Sequence, residues 1–169
     1  ADIIDIGAMS SRPGAEIISE DEEYNRLKPV FETIISDFPD KNFSIDTIRA
    51  SIAKKAVCDY GFAIINDITG GNFDAQMFAT VAECKVPFIV MHMRGNPADM
   101  QQLTDYQSIT DEIILYFSQI VRPLNNMGVN DIIIDPGFGF SKTIEQNYYL
   151  LNKLDTFKIL DLPILAGLS

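Results

Sequence analysis

A chain of 169 residues with 47% hydrophobic content is long enough for a single domain with a sizeable core. Its net charge of −11 argues against the basic face that nucleic-acid binding requires. No apolar run reaches the length of a bilayer and no signal peptide opens the chain, so a soluble, cytoplasmic protein without membrane or nucleic-acid partners is expected.

The chain starts at Ala1-Asp2-Ile3-Ile4-Asp5, without an initiator Met and already in an expected strand, and reads as an excerpt. The first strand is expected at residues 3–7, followed by Ser10-Ser11-Arg12-Pro13-Gly14. Two hydroxyls, a guanidinium and a rigid Pro-Gly turn suit an oxyanion-binding loop. Taken alone, a solvated loop with a surface arginine is the better reading. Gly7 and Gly14 bracket the segment and suggest a lid. A helix at 20–36 follows, with Ser19 and Glu22 spaced as a capping box.

A second strand at 43–46 ends in Ser44-Ile45-Asp46-Thr47, and a helix is expected at 47–60. The third, at 63–66, ends in Asn66-Asp67 and leads to a helix at 74–83. For one aspartate at a strand end, capping the next helix is the default role. The fourth strand, at 88–92, closes on Met91-His92-Met93, with the only histidine expected as a structural residue beneath the site. A helix at 106–127 stops at Gly128, which suits the left-handed position. The fifth strand, 132–135, runs into Asp135-Pro136-Gly137-Phe138-Gly139-Phe140-Ser141-Lys142-Thr143. That segment has the glycines and Lys-Thr of a phosphate loop but not the Walker spacing, so ATP binding is not expected, whereas stacking by Phe138 or Phe140 is. A helix at 144–154 and a sixth strand at 164–168 complete the pattern. Cys58 and Cys84 lack metal-ligand spacing and are expected as buried, reduced thiols.

These strands are continuous apolar runs, as in parallel sheets covered on both faces. Alternating strands and helices leave a doubly wound sheet or a (β/α)8 TIM barrel. No Gly-x-Gly-x-x-Gly follows a strand, and nearly every strand ends in a polar group: Asp5, Asp46, Asn66 with Asp67, His92, Asp135 and Ser169. In a barrel those ends converge on the catalytic face. The expectation is therefore an α/β TIM barrel with about six of its eight βα units, residues 1–169 forming one domain incomplete at both ends. Asp46, Asn66 and Asp135 could together read an amino-pyrimidinone edge, because carboxylates accept paired N–H donors and an amide offers both roles. A sugar or an amide would fit almost as well.

In order and spacing, the segments at 5–15, 44–47, 65–68, 91–93, 135–140 and 166–169 resemble the dihydropteroate synthase family. The resemblance implies condensation of 6-hydroxymethyl-7,8-dihydropterin pyrophosphate with p-aminobenzoate, releasing pyrophosphate, in folate biosynthesis. It casts Asp46, Asp135 and Arg12 as catalytic. Asp46, Asn66 and Asp135 would hold the pterin edge, Met91, Ile68 and Phe140 would line its faces, and Gly167 would lie close by. Ser10, Ser11, Arg12 and Pro13 would lie over the pyrophosphate and p-aminobenzoate, with Ser169 opening a further substrate segment. It also implies magnesium, with its ligand on an N-terminal loop outside this chain, a homodimer, and sensitivity to sulfonamides. Within this chain no metal ligand is expected. Two departures stand out. Gly7-Ala8-Met9-Ser10-Ser11-Arg12-Pro13 lacks the family's second glycine and glutamate, although Ser11 keeps the hydroxyl of the usual threonine. The family's first and last strands are absent, and the 169 residues alone are expected to be inactive and poorly closed. Two alternatives stand beside this reading: a methyltransferase domain using methyltetrahydrofolate, and a non-catalytic pterin-binding barrel.

Overall fold

The computed structural model describes residues 1–12, 14–96 and 99–167. Its strands are β1 (Ile3–Gly7), β2 (Asn42–Asp46), β3 (Ile64–Asp67), β4 (Phe88–Met91) and β5 (Ile132–Asp135). Between and after them lie α1 (Glu20–Asp37), α2 (Ala50–Tyr60), α3 (Met77–Cys84), α4 (Ile109–Asn126) and α5 (Ile144–Asn152), with 3-10 turns at Met100–Gln102 and Leu154–Leu160. All five strands are parallel and lie side by side in chain order. A doubly wound sheet reverses its order at a switch point; this one does not, and the arrangement is that of a partial barrel.

The expected sixth strand is reduced to one bridge between Ile134 and Ile164. Ile134 donates to the Pro163 carbonyl at 3.0 Å, and its own carbonyl accepts from Leu165 at 2.9 Å. The next rung of a parallel ladder would need an N–H from residue 136, and Pro136 has none. Expected residues Leu168 and Ser169 lie outside the described residues, as does Pro13.

Period-two alternation assigns each strand residue to a face. Ile45, Ile65, Phe88, Val90, Ile132 and Ile134 join Leu27, Phe31, Ile52, Ala53, Phe117 and Leu124 of the helices in the main buried core. On the opposite, inner face the register runs Gly7–Asp46–Asn66–Ile89–Ile133, with Met91 beside Asp135. Polar strand ends thus accumulate on one side of the sheet while the aliphatics beside them are buried under helices.

The helix ends explain most boundary differences. Ser19 caps α1, accepting from the Glu22 N–H at 3.2 Å, but the Glu22 carboxylate pairs with Arg26, so only half of the expected capping box forms. A complete box occurs at α5, between Thr143 and Gln146. The second helix begins at Ala50, not at 47, because Thr47 accepts from the Arg49 N–H at 3.2 Å and the Ala50 N–H goes to Asp74 at 2.8 Å. Asp74 is thereby spent on the turn before α3, which starts at Met77. The fourth helix starts at Ile109; Tyr106 is held back by its hydroxyl, which donates to the Ser141 carbonyl at 3.0 Å. Gly128 takes the left-handed conformation expected of it, with φ of 84°. Cys58 is exposed and Cys84 only half-buried, so the expected buried thiols are corrected: α2 leaves Cys58 to solvent, and Cys84 of α3 packs at the margin of the main core.

Candidate functional site

The C-terminal ends of the strands place Asp46, Asn66, Met91 and Asp135 on the inner face, Asp46 directly beside Asn66 and Met91 directly beside Asp135. The local sequence makes this possible at β1. Gly7 lies opposite Asp46, and a Cβ there would sit 3.0 Å from both the Cβ and Oδ2 of Asp46. Gly7 therefore makes room for a carboxylate, which is a different reason from the hinge its position suggested.

Asp46 is half-buried and, among the described residues, receives no hydrogen bond. Burial is the largest influence on it, followed by the negative charges of Asp5, Asp67 and Glu23; together they raise its pKa to about 7. It does not cap α2. A carboxylate crowded by other acids and lacking a donor is stabilised by whatever brings N–H groups or positive charge to it.

Asn66 donates to Asp5 at 3.0 Å, and Ser44 donates to the other oxygen of Asp5. Asp67, its neighbour in sequence, points the other way. It is fully buried and accepts from Thr69 N–H and hydroxyl, both at 2.7 Å, and from Gly71 N–H at 3.0 Å. Asp67 is a turn-former, and only Asn66 of the pair faces the site. Asp135 is buried; one oxygen accepts from the Gly137 N–H at 2.7 Å, and its pKa rises to about 6, chiefly through burial.

An apolar wall stands next to these groups. Ile48, Ile68, Met91, Met93 and Met100 form a second buried cluster, against which Met9 and Phe140 pack. The expected ring-lining residues Ile68, Met91 and Phe140 are thus brought together. The two candidate stacking rings part company, Phe138 packing on the main core and Phe140 on this cluster. Gly167 borders a cavity of about 260 Å³ with Phe138, Gly139, Ile144, Asn147, Tyr148 and Leu151.

The loop after β1 is shaped locally: Ser10 Oγ accepts from the Arg12 N–H at 3.3 Å, and the Arg12 carbonyl accepts from Ala15 at 3.0 Å. Ser10 and Arg12 are exposed and Ser11 is half-buried. Among the described residues no hydrogen bond or ion pair joins this loop to Asp46, Asn66 or Asp135.

Three supporting groups escaped the sequence reading. Asp5 orients Asn66. Glu23, with no exposed surface, accepts from Thr47 at 2.5 Å and pairs with Arg49, which also donates to the Ile18 carbonyl. Lys142 is buried against His92, its Nζ 3.1 Å from the imidazole Nδ1. His92 lies edge-on to Tyr116, with ring centroids 4.9 Å apart. Burial first, and then the charges of Lys142 and Arg94, depress its pKa to about 2, so it is neutral and fits the structural role expected of it. The signal available for Lys142 was its place in a phosphate-loop-like motif, which pointed to a ligand in place of the protein interior.

The profile of the family described as pterin binding enzyme matches residues 1–169. A dihydropteroate synthase of Synechocystis is 44% identical over 171 residues, covering all of this chain and 58% of that protein. The crystal structure of the Yersinia pestis dihydropteroate synthase in a sulfonamide drug complex superposes with a TM-score of 0.93 at 35% identity, covering all of this chain and 61% of that one. An Anaplasma phagocytophilum dihydropteroate synthase with bound 6-hydroxymethylpterin-monophosphate matches with a TM-score of 0.92 at 36% identity, over 99% of this chain and 67% of that one. The chain spans 58% and 60% of two curated relatives that it matches throughout its length.

Proposed function

Because the chain belongs to the pterin-binding enzyme family, we propose that it carries the pterin pocket of a dihydropteroate synthase. The observation that bears most weight is the inner-face row of Asp46, Asn66 and Asp135, with Ile68, Met91 and Phe140 as an apolar wall beside it. A flat heterocycle with an amino-pyrimidinone edge matches both parts. Its N–H groups meet acceptors, and its faces meet sulfur and an aromatic ring.

In the reaction, the bond between the pterin methylene carbon and the pyrophosphate oxygen breaks, and the electron pair leaves with pyrophosphate. The arylamine nitrogen of p-aminobenzoate then forms the new bond to that carbon and gives up a proton. Positive charge spreads over the pterin as the leaving group departs. Asp46 and Asp135, once ionised, stabilise that charge from fixed positions, the inverse of an oxyanion hole. Arg12, with Ser10 and Ser11, supplies the local cation and hydroxyls that a phosphate needs on a protein of net charge −11. Pro13, Gly167 and Ser169 complete the substrate-binding residues of this proposal.

Magnesium belongs to this proposal only as a companion of the pyrophosphate. Among the described residues no group of three or more His, Cys, Asp or Glu could hold a metal ion. A homodimer and a cytoplasmic location complete the proposal. Among the described residues no helix is long and apolar enough to cross a membrane, in keeping with small-molecule substrates.

The test is titration calorimetry of the full chain with 7,8-dihydropterin pyrophosphate. Saturable binding that disappears in Asp46→Ala supports the reading. A full-length protein that neither binds the pterin nor forms dihydropteroate refutes it.

A further inference from the structure

Lys142 holds one of the most enclosed cations in the chain, with 3% of its surface exposed. Its Nζ donates to the Phe140 carbonyl at 2.8 Å and the Gly137 carbonyl at 2.9 Å. It also lies 3.1 Å from His92 Nδ1 and 3.4 Å from the His92 carbonyl. These acceptors belong to two separate pieces of chain. Gly137 and Phe140 lie on the loop after β5, and His92 ends β4. Neutral His92 offers Nδ1 as an acceptor only when its proton sits on Nε2, so the ammonium also selects the tautomer.

The same loop is fastened at two further points. Ser141 Oγ accepts from the Arg94 N–H at 2.9 Å and donates to the Arg94 carbonyl at 2.8 Å. Gly137 presses against the His92 carbonyl so closely that a Cβ would collide with it. Buried backbone carbonyls need donors. The Phe140 N–H reaches the Gly137 carbonyl within the loop, but a donor must also serve the Phe140 carbonyl and tie the loop to His92. A compact ammonium with three protons, radiating from one point, can do so; a planar guanidinium cannot.

We infer that Lys142 is a positioning residue of the pocket: its buried ammonium ties the loop after β5 to the end of β4, and so fixes Asp135 and Phe140 relative to Met91. The inference rests on the proposed function in one respect, that the ligand held by Asp135 and Phe140 is a pterin. The depressed pKa of Lys142, about 7 and caused mainly by burial, accords with a group enclosed by the protein and turned away from a phosphate.

The experiment uses the full chain with Lys142→Met and Lys142→Arg. Steady-state assays should show KM for the pterin pyrophosphate raised tenfold or more, with KM for p-aminobenzoate changed less than twofold. A purely structural role would lower the active fraction and leave both KM values alone, and that result overturns the inference. Amide hydrogen exchange gives a second reading. In the unsubstituted protein the Phe140 amide, bonded to the Gly137 carbonyl at 3.1 Å, should exchange as slowly as the amides of β5, and in Lys142→Met at least tenfold faster. Rapid exchange there in the unsubstituted protein overturns the inference even if both variants fail to fold. If the loop responds as stated but the unsubstituted full chain binds no pterin, the proposed function falls and the tie by Lys142 stands.

Discussion

The side-chain amide of Asn66 on β3 donates to the carboxylate of Asp5 on β1 at 3.0 Å, reaching past the whole of β2. Only a curved inner face lets strands that are not neighbours touch in this way. One N–H of the Asn66 amide is spent on Asp5, which fixes the amide's orientation and leaves its second N–H and its carbonyl oxygen for a ligand. Asp5→Ala should therefore weaken pterin binding without touching the ligand. Leaving the amide and the Ser44 hydroxyl without their acceptor costs about 1–3 kcal/mol of stability, and the lost orientation of Asn66 should weaken binding besides, tenfold in Kd for about every 1.4 kcal/mol. Calorimetry on the full chain measures it; an unchanged Kd would mean that Asn66 keeps its orientation by other means.

Asp46 links binding to protons. With a pKa of about 7 in the free protein, it is partly protonated at neutral pH. A ligand that brings N–H donors favours the ionised form, so pterin binding at pH 7 should release up to one proton per site. Repeating the titration in buffers of different ionisation enthalpy reads the number directly. Proton uptake would contradict the assignment.

The same group costs stability. Its folded pKa lies above the ordinary aspartate value of 3.8, so the folded state holds more protons than the unfolded one between about pH 4 and 7. Its contribution is present below the lower value and lost as pH rises through the upper one. Asp46→Asn should then melt higher than the unsubstituted protein at pH 8, by roughly 2 kcal/mol, with the gain vanishing below pH 4. The variant should also fail to bind pterin.

Glu23 and Arg49 predict a large effect far from any ligand contact. Glu23 has no exposed side-chain surface and Arg49 only 11%. Arg49→Met leaves a buried carboxylate with Thr47 as its remaining donor, and should cost about 3–5 kcal/mol in chemical denaturation. Replacing both residues by apolar ones should recover much of that loss.

Gly137→Ala should be nearly as severe. The residue sits at φ of 71°, and the added methyl would meet the His92 carbonyl. Displacing the loop also displaces Asp135, whose carboxylate accepts from the Gly137 N–H. Both the melting temperature and pterin affinity are expected to fall, and normal values for both would show that the loop has slack.

Much of this was legible beforehand, for identifiable reasons. Continuous runs such as Ile132-Ile133-Ile134 can only be strands covered on both faces, and Asp46, Asn66 and Asp135 each close such a run, so their convergence followed from the fold. What could not be read was long-range pairing. Nothing in the neighbourhood of Glu23 says that it is buried against Arg49, and Asp5 looked like one more strand end. Lys142 sits in a segment whose composition suggests phosphate, but the left-handed turns at Gly137 and Gly139 fold its carbonyls inward onto the lysine. The sixth strand failed at a single atom, the hydrogen that Pro136 lacks, which is visible in the sequence only once the register with Ile164 is known.

Among the described residues β1 pairs only with β2, and Ile3 and Ile4 remain 48% and 38% exposed at that margin. Burying those two side chains takes a further segment laid along that margin, so closure of the barrel at β1 is itself a source of hydrophobic stabilisation, at roughly 25 cal/mol per Å² of apolar surface covered.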